Sequence, residues 1–221
     1  MYDNLLQLPL FQGLSKDDFT TIIEKVKFHF ISFKKGETII RQGDACKQIV
    51  FLLNGEIVAQ TMNEKHNYLL SEKLDCPHII EPYSLFGMQT RYTATYQANA
   101  PVQILAIDKA YIFSELNNHE IFRINYLNLL SNRCQCLQQK LWENHIGTLK
   151  EKFICFLHNR CQRADGEKTL LITMEDLANI IDETRINVSR MLNEFQEKEL
   201  IQLKRKEILI PDLKKLGAHV K

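Results

Sequence analysis

The chain has 221 residues, 45% hydrophobic and 25% charged, a balance that supports a real core and rules out disorder throughout. Basic and acidic residues nearly cancel at +1, so no global field marks a nucleic-acid partner and any such contact has to be local. Uninterrupted apolar runs are about as long as Ile49–Leu53, far short of the ~20 residues a membrane helix demands, so no membrane partner is expected.

Ser15 is placed to cap a short helix whose Phe19, Ile22, Ile23 and Val26 share one face. From Phe28 to Ile107 the pattern changes to short β-type runs: 28–33, Ile49–Leu53, Glu56–Ala59, Tyr68–Leu70, Ala94–Ala98 and Val102–Ile107. Lys35-Gly36, Gln42-Gly43-Asp44, Pro77, Pro82 and Pro101 punctuate them. Asn54-Gly55 tolerates the positive φ values of a type I′ turn, which predicts a β-hairpin joining Ile49–Leu53 to Glu56–Ala59. The set implies a small all-β sandwich or barrel.

The next regime is helical. Asp108 can cap a helix over 109–116, the Asn117-Asn118 pair breaks it, and a longer helix runs from about His119 to Asn144. Within it Leu127, Leu130, Cys134, Leu137 and Leu141 fall at spacings of three and four in turn, the narrow stripe of a coiled-coil seam. Such a stripe packs either on its own β domain or on a second copy; the flanking Gln135, Gln138, Gln139 and Lys140 favour a homodimer. Cys134 then either packs in the seam or meets its twin as a redox-sensitive bridge. Asn144-His145-Ile146-Gly147 reads as a joint, Gly147 supplying a hinge conformation.

After the joint, Leu149, Phe153, Phe156 and Leu157 mark a helix, and Leu170–Ile172 a short strand. Thr173-Met174-Glu175-Asp176 resembles a capping box opening a helix through Ile181. Asp182-Glu183 is a tight link, and Thr184 caps a second helix to about Lys198 with Val188, Met191, Leu192 and Phe195 inside. Two β runs, Leu200–Leu203 and Glu207–Ile210, flank Lys204-Arg205-Lys206. This is the order of a winged helix-turn-helix.

Side chains at Arg185, Ile186, Ser189 and Arg190 project away from that second helix's apolar face, so they can enter a major groove ~12 Å wide. The two guanidiniums suit bidentate bonds to guanine or a phosphate clamp. Asn187 suits adenine, or a local hydrogen bond within the cap. Thr173, Thr184 and Ser189 are candidate phosphate or base contacts, and Lys204, Arg205 and Lys206 candidate sequence-blind phosphate contacts.

The chain resembles the CRP/FNR family of bacterial transcription regulators over nearly its whole length. The resemblance rests on Phe33–Asp44, on Ile49–Ile57, on Thr173–Ala178 and on Thr184–Leu192. It implies an α+β architecture: an N-terminal β-roll of the cyclic-nucleotide-binding-like jelly-roll type (1–117), a dimerisation helix and hinge (118–145) and a C-terminal winged helix-turn-helix (146–221). It also implies a homodimer on double-stranded DNA, with RNA polymerase and a small-molecule effector as candidate further partners. Where the family often has glutamate after the first recognition-helix arginine, this chain has Ile186, which offers only apolar contact, for example to a thymine methyl. The family's best-known DNA site is therefore not carried over.

Cyclic-nucleotide-binding members grip ribose and phosphate with a Gly-Glu pair and an Arg-Ser/Thr pair. The matching stretch here makes Gly87, Met88, Arg91, Tyr92 and Thr93 the candidate effector pocket, but Met88 replaces the acceptor and Tyr92 separates Arg91 from Thr93. Cyclic AMP is therefore not the expected cofactor. Neither is an iron-sulfur cluster, whose cysteines would sit near the N-terminus; the first cysteine here is Cys46. Cys76-Pro77-His78 is too unspecific to assign a metal or haem. Cysteines at 46, 76, 134, 136, 155 and 161 form no Cys-x-x-Cys pair, and no leader pattern precedes them, which points to reduced thiols in the cytoplasm. No motif supports an enzyme. Two other readings stay open: a constitutive DNA-binding regulator with a ligand-free remnant sensor, and a ligand-binding signalling module that does not touch DNA.

Overall fold

Strands form where β-branched and aromatic residues concentrate, and their registers set two sheets. The structure is a computed structural model describing residues 5–142 and 147–219. Of the expected joint, Asn144, His145 and Ile146 lie outside the described residues, as does the side chain of Leu141. The chain divides into two compact units, one holding residues up to 57 with 74–135, the other 58–73 with those from 136 on.

In the first unit, helix α1 (Lys16–Lys25) starts at Ser15, whose Oγ accepts from the Asp18 amide at 3.0 Å. Strands β1 (Phe28–Phe33), β3 (Gln48–Asn54), β6 (His78–Ile80) and β8 (Val102–Asp108) make an antiparallel sheet in the order β1-β8-β3-β6. β2 (Thr38–Ile40) pairs with β7 (Thr95–Ala98) in a second sheet. Ile49, Val50, Phe51 and Leu52 on the central β3 are all buried, because both faces of that strand are covered. Phe11, fully buried, lies 5.6 Å ring to ring from Phe19, Phe51 and Phe122, and so joins α1, β3 and the long helix below. Each such ring withdrawn from water stabilises by about 1.5–3 kcal/mol.

The expected hairpin at Asn54-Gly55 is not there. β3 pairs with β8 and β6, whereas β4 (Glu56–Asn63) belongs to the other sheet beside β5 (Tyr68–Asp75). Asn54-Gly55 is a corner that carries the chain between sheets. Only Gly55 takes a positive φ, +91°, so this is no type I′ turn, which needs two. A Cβ on Gly55 would lie 2.4 Å from the Pro101 carbonyl oxygen, which explains the glycine by close approach instead.

Short helix α2 (Lys109–Ser114) follows Asp108, and α3 (Glu120–Trp142) is the long helix. Asp108 does not cap α2 with its side chain; that carboxylate accepts from Gln48 Nε2 at 2.7 Å.

In the second unit, α4 (Leu149–Arg160) opens with a reciprocal Thr148–Glu151 capping box. β9 (Lys168–Leu171), α5 (Met174–Ile180), α6 (Arg185–Glu197), the hairpin of β10 (Gln202–Lys204) and β11 (Glu207–Ile210), and α7 (Leu213–Ala218) complete it. Phe153, Leu157, Leu177, Val188, Leu192, Phe195, Ile210 and Leu216 form its core. Residues 58–73 join this unit through strand pairing: β5 lies antiparallel to β9, Leu69 opposite Leu171 and Glu72 opposite Lys168. Tyr68 and Leu70 enter the same core. The strand expected over Tyr68–Leu70 runs on to Asp75, flanked by β4 on one side and by β9 opposite Leu69–Glu72 on the other.

Candidate nucleic-acid interface

Two helices joined by a tight turn place the candidate face. Thr173 Oγ1 accepts from the Asp176 amide at 3.0 Å and donates to Asp176 Oδ2, so its hydroxyl is committed to starting α5. Asp182 takes a left-handed φ of +53°, and the Glu183 amide donates back to Ala178 O at 3.0 Å, which closes α5 and turns the chain. Thr184 Oγ1 accepts from the Asn187 amide at 3.3 Å and starts α6.

Along α6 the apolar stripe Val188, Met191, Leu192 and Phe195 is buried. Its opposite face presents Arg185, Ile186, Asn187 and Arg190 to solvent, with Ser189 half-buried. Ile186 is 70% exposed, an apolar side chain that contributes nothing to the core. Arg185, Ile186, Ser189 and Arg190 line one shallow open concavity together with Asn193, Glu194 and Glu197. Asn193 was missed in the sequence; its place one turn beyond Ser189 and Arg190 is the signal that would have found it. The first turn of α6 carries no acidic residue, whereas that of α5 carries Glu175 and Asp176. Of these two helices α6 has the first turn free of acid, with Glu183 just before its cap on the Thr184 amide and the Asn187 side chain.

Lysines of α4 hold the acids beside this face. Lys150 Nζ lies 2.5 Å from Glu194 Oε2, and that hydrogen bond keeps the Glu194 carboxyl below its ordinary range. Lys152 Nζ, 3.1 Å from Glu183 Oε1, does the same for Glu183, which also accepts from the Asn187 side chain. Asn187 is thus engaged locally. Among the described residues no ion pair holds Arg185, and Arg190 feels Glu194 without pairing to it. At the wing, Lys204 Nζ bonds Glu207 Oε1 at 2.8 Å, while Arg205 and Lys206 are exposed in the turn. The Leu203 amide donates to Gln196 Oε1, which fixes the wing to α6.

The five candidate effector residues do not face one space. Gly87 and Met88 are exposed, Met88 completely. Arg91 Nη1 turns outward onto Gly43 O at 2.7 Å, and Tyr92 turns into the core with its hydroxyl on Gln48 O. Only Thr93 meets an acid, Glu81, which the sequence reading missed. On α3, Leu127 and Leu137 are exposed, as is Cys134, and Leu130 is half-buried; exposed Ile121 and Ile124 extend the apolar line toward the N-terminus.

Comparison with known proteins agrees with this arrangement. The model of the cyclic nucleotide-binding domain family matches residues 30–119, and that of the Crp-like helix-turn-helix domain matches residues 151–218. The chain is 27% identical over 220 residues to the regulatory protein HlyX of Actinobacillus pleuropneumoniae, covering 94% of this chain and 88% of that one. It is 22% identical over 214 residues to the global nitrogen regulator of a Nostoc species, covering 91% and 90%. The solved catabolite activator protein of Thermus thermophilus shares the fold, with a TM-score of 0.54 at 17% identity over 96% of this chain and all of that one. With both domain models matched and regulators aligned along about nine-tenths of its length, the chain belongs to the CRP/FNR family of transcription regulators.

Proposed function

We propose that this regulator acts as a cytoplasmic homodimer that reads a near-palindromic DNA site through α6, under a signal other than cyclic AMP. One observation carries the reading. Arg185, Ile186 and Arg190 face solvent from a helix whose opposite stripe is buried, with no acid in its first turn. Arg185 and Arg190 serve as base or phosphate ligands, Ile186 as an apolar contact, Thr184 and Ser189 as backbone contacts, and Arg205 and Lys206 as phosphate contacts. Thr173 and Lys204 contribute less, since each already has a partner within the fold.

The exposed line Ile124, Leu127, Cys134 and Leu137 on α3 supports pairing with a second copy. On a two-fold dimer the two α6 helices meet successive major grooves ~34–36 Å apart. RNA polymerase is the further partner that a regulator bound beside a promoter would engage. Among the described residues no helix is long and apolar enough to cross a membrane.

Selection of bound duplexes from a random pool tests this function. The expected result is an inverted repeat with half-sites one helical turn apart, lost in Arg185→Ala and Arg190→Ala. Failure to retain any duplex over a competitor, at low salt and with cell extract present, would overturn it and favour a signalling module without DNA.

A further inference from the structure

In the first unit a buried carboxylate sits where an anion would be expected from outside. Glu81 is 1% exposed. It accepts from five donors: Ser84 Oγ at 2.9 Å, the Thr93 amide at 2.8 and 3.0 Å to its two oxygens, Thr93 Oγ1 at 2.9 Å, the Ala94 amide at 3.0 Å and the Tyr96 hydroxyl at 3.0 Å. Every one is neutral. A carboxylate withdrawn from water and given no cation is stable only when its lone pairs are filled, and here they are. Two consecutive amides converging with three hydroxyls make a cradle suited to a small oxyanion.

The backbone at Glu81 is strained to bring the side chain there. Its φ of +38° and ψ of +55° lie in the left-handed region that glycine favours, and Pro82 follows directly. Thr93 is itself exposed, between buried Tyr92 and buried Ala94, so the cradle lies within reach of solvent rather than deep in the core. We propose that the Thr93–Tyr96 segment with Ser84 forms an anion-binding cradle whose resident ligand is Glu81 itself, a tethered carboxylate that excludes small anions from solution. The cradle lies at the same Thr93 that the sequence singles out for an effector phosphate, and the chain's own carboxylate fills it. The signal that governs this regulator then acts elsewhere than through a free phosphate at Thr93. The inference stands on the first unit alone and does not depend on DNA reading.

Thermal melting of the full chain tests it. Wild type should melt at one temperature in chloride, acetate, phosphate or cyclic AMP at matched ionic strength, because the cradle is filled. Glu81→Ala should melt lower, and acetate or phosphate, but not chloride, should raise its Tm saturably by occupying the vacated donors. Glu81→Gln should melt lower than wild type and ignore all four, since an amide fills the space and presents a donor to the Thr93 amide. A saturable Tm rise of wild type in phosphate or cyclic AMP would overturn the proposal, as would Glu81→Ala melting identically in acetate and chloride. If Glu81→Ala yields no folded protein, Glu81→Gln decides, and a wild-type Tm for it would sink the idea. Melting rather than DNA retention is read, so failure here leaves the role of α6 standing.

Discussion

Lys168 Nζ lies 3.4 Å from Glu72 Oε1, and neither side chain reaches solvent, at 0% and 3% exposure. The pair spans the β5–β9 register, where Glu72 stands opposite Lys168. Glu72 also accepts from the Gln162 amide at 2.8 Å and the Arg163 amide at 3.4 Å, while Lys168 donates to Asp165 O at 2.6 Å. One carboxylate and one ammonium thus fix the 162–168 loop and the strand 68–75 together at the edge of the helix-turn-helix core.

Removing one charge from that pair leaves the other buried and uncompensated, which costs about 3–5 kcal/mol. Lys168→Met is therefore expected to destabilise the protein by that order in urea unfolding, and Glu72→Gln to do the same with added loss at the 162–163 amides. The double variant Glu72→Gln/Lys168→Met should lose clearly less than the sum, because no lone charge remains. Additive losses would show that the two side chains do not stabilise one another.

Arg185→Ala and Arg190→Ala are each expected to weaken specific DNA binding by about 1–3 kcal/mol and to relax base preference at the contacted position. Both side chains are exposed, so the DNA-free Tm should not move. Arg205→Ala and Lys206→Ala should instead weaken all duplexes alike and lower the salt slope by about 0.9 per phosphate lost. Fluorescence anisotropy on the selected site and a scrambled one, across a salt series, separates the two behaviours.

Gly55→Ala is expected to destabilise by at least about 1 kcal/mol, because it combines a left-handed φ with a Cβ driven into Pro101 O. The same residue shows where sequence reading stops. Asn-Gly between two apolar runs is a sound local hairpin signal, but strand partners are a tertiary choice, and β3 found β8 and β6 instead. The solvent-facing side of α6 was legible because it is local: Thr184 caps, Val188, Met191, Leu192 and Phe195 bury, and Arg185, Ile186 and Arg190 point outward. Glu81 was not legible, since its five donors come mostly from a segment twelve or more residues away, and an acid before a proline carries no motif. The docking of 58–73 onto β9 was hidden for the same reason; nothing in Tyr68–Asp75 announces a partner a hundred residues on.

Cysteine reactivity should separate core from surface and test the α3 seam. Burial pushes the Cys46 and Cys161 thiols up, which removes thiolate at neutral pH, whereas Cys76, Cys134 and Cys136 are exposed. With iodoacetamide at pH 8, Cys76 and Cys136 are expected to alkylate quickly, and Cys46 and Cys161 only after unfolding. Cys134 lies on the face proposed to pair, so with a dimer it should react slowly at high protein concentration and quickly on dilution, read by peptide mass spectrometry. Equal rates for Cys134 and Cys136 at all concentrations would argue against pairing through this face.

The Lys150–Glu194 and Lys152–Glu183 pairs give α6 and the turn before it an acid-sensitive brace. Both carboxyls sit below their ordinary range because a lysine of α4 holds each, so the folded form binds protons less readily than the unfolded chain. Their contribution is therefore complete above the unfolded carboxylate pKa of about 4.3 and is lost as pH falls through the lower folded values. Lys150→Gln/Lys152→Gln should abolish that part of the acid dependence in melting curves taken from pH 6 down to pH 3. At neutral pH the same variant leaves Glu183 and Glu194 unneutralised beside Asn187 and Arg190, so its DNA affinity should fall more at low salt than at high salt. Lys214→Gln, one charge removed from α7 outside both ion pairs, is the control and should shift neither curve by a comparable amount. If the double variant kept the full acid dependence, the brace would not be what couples protons to this face.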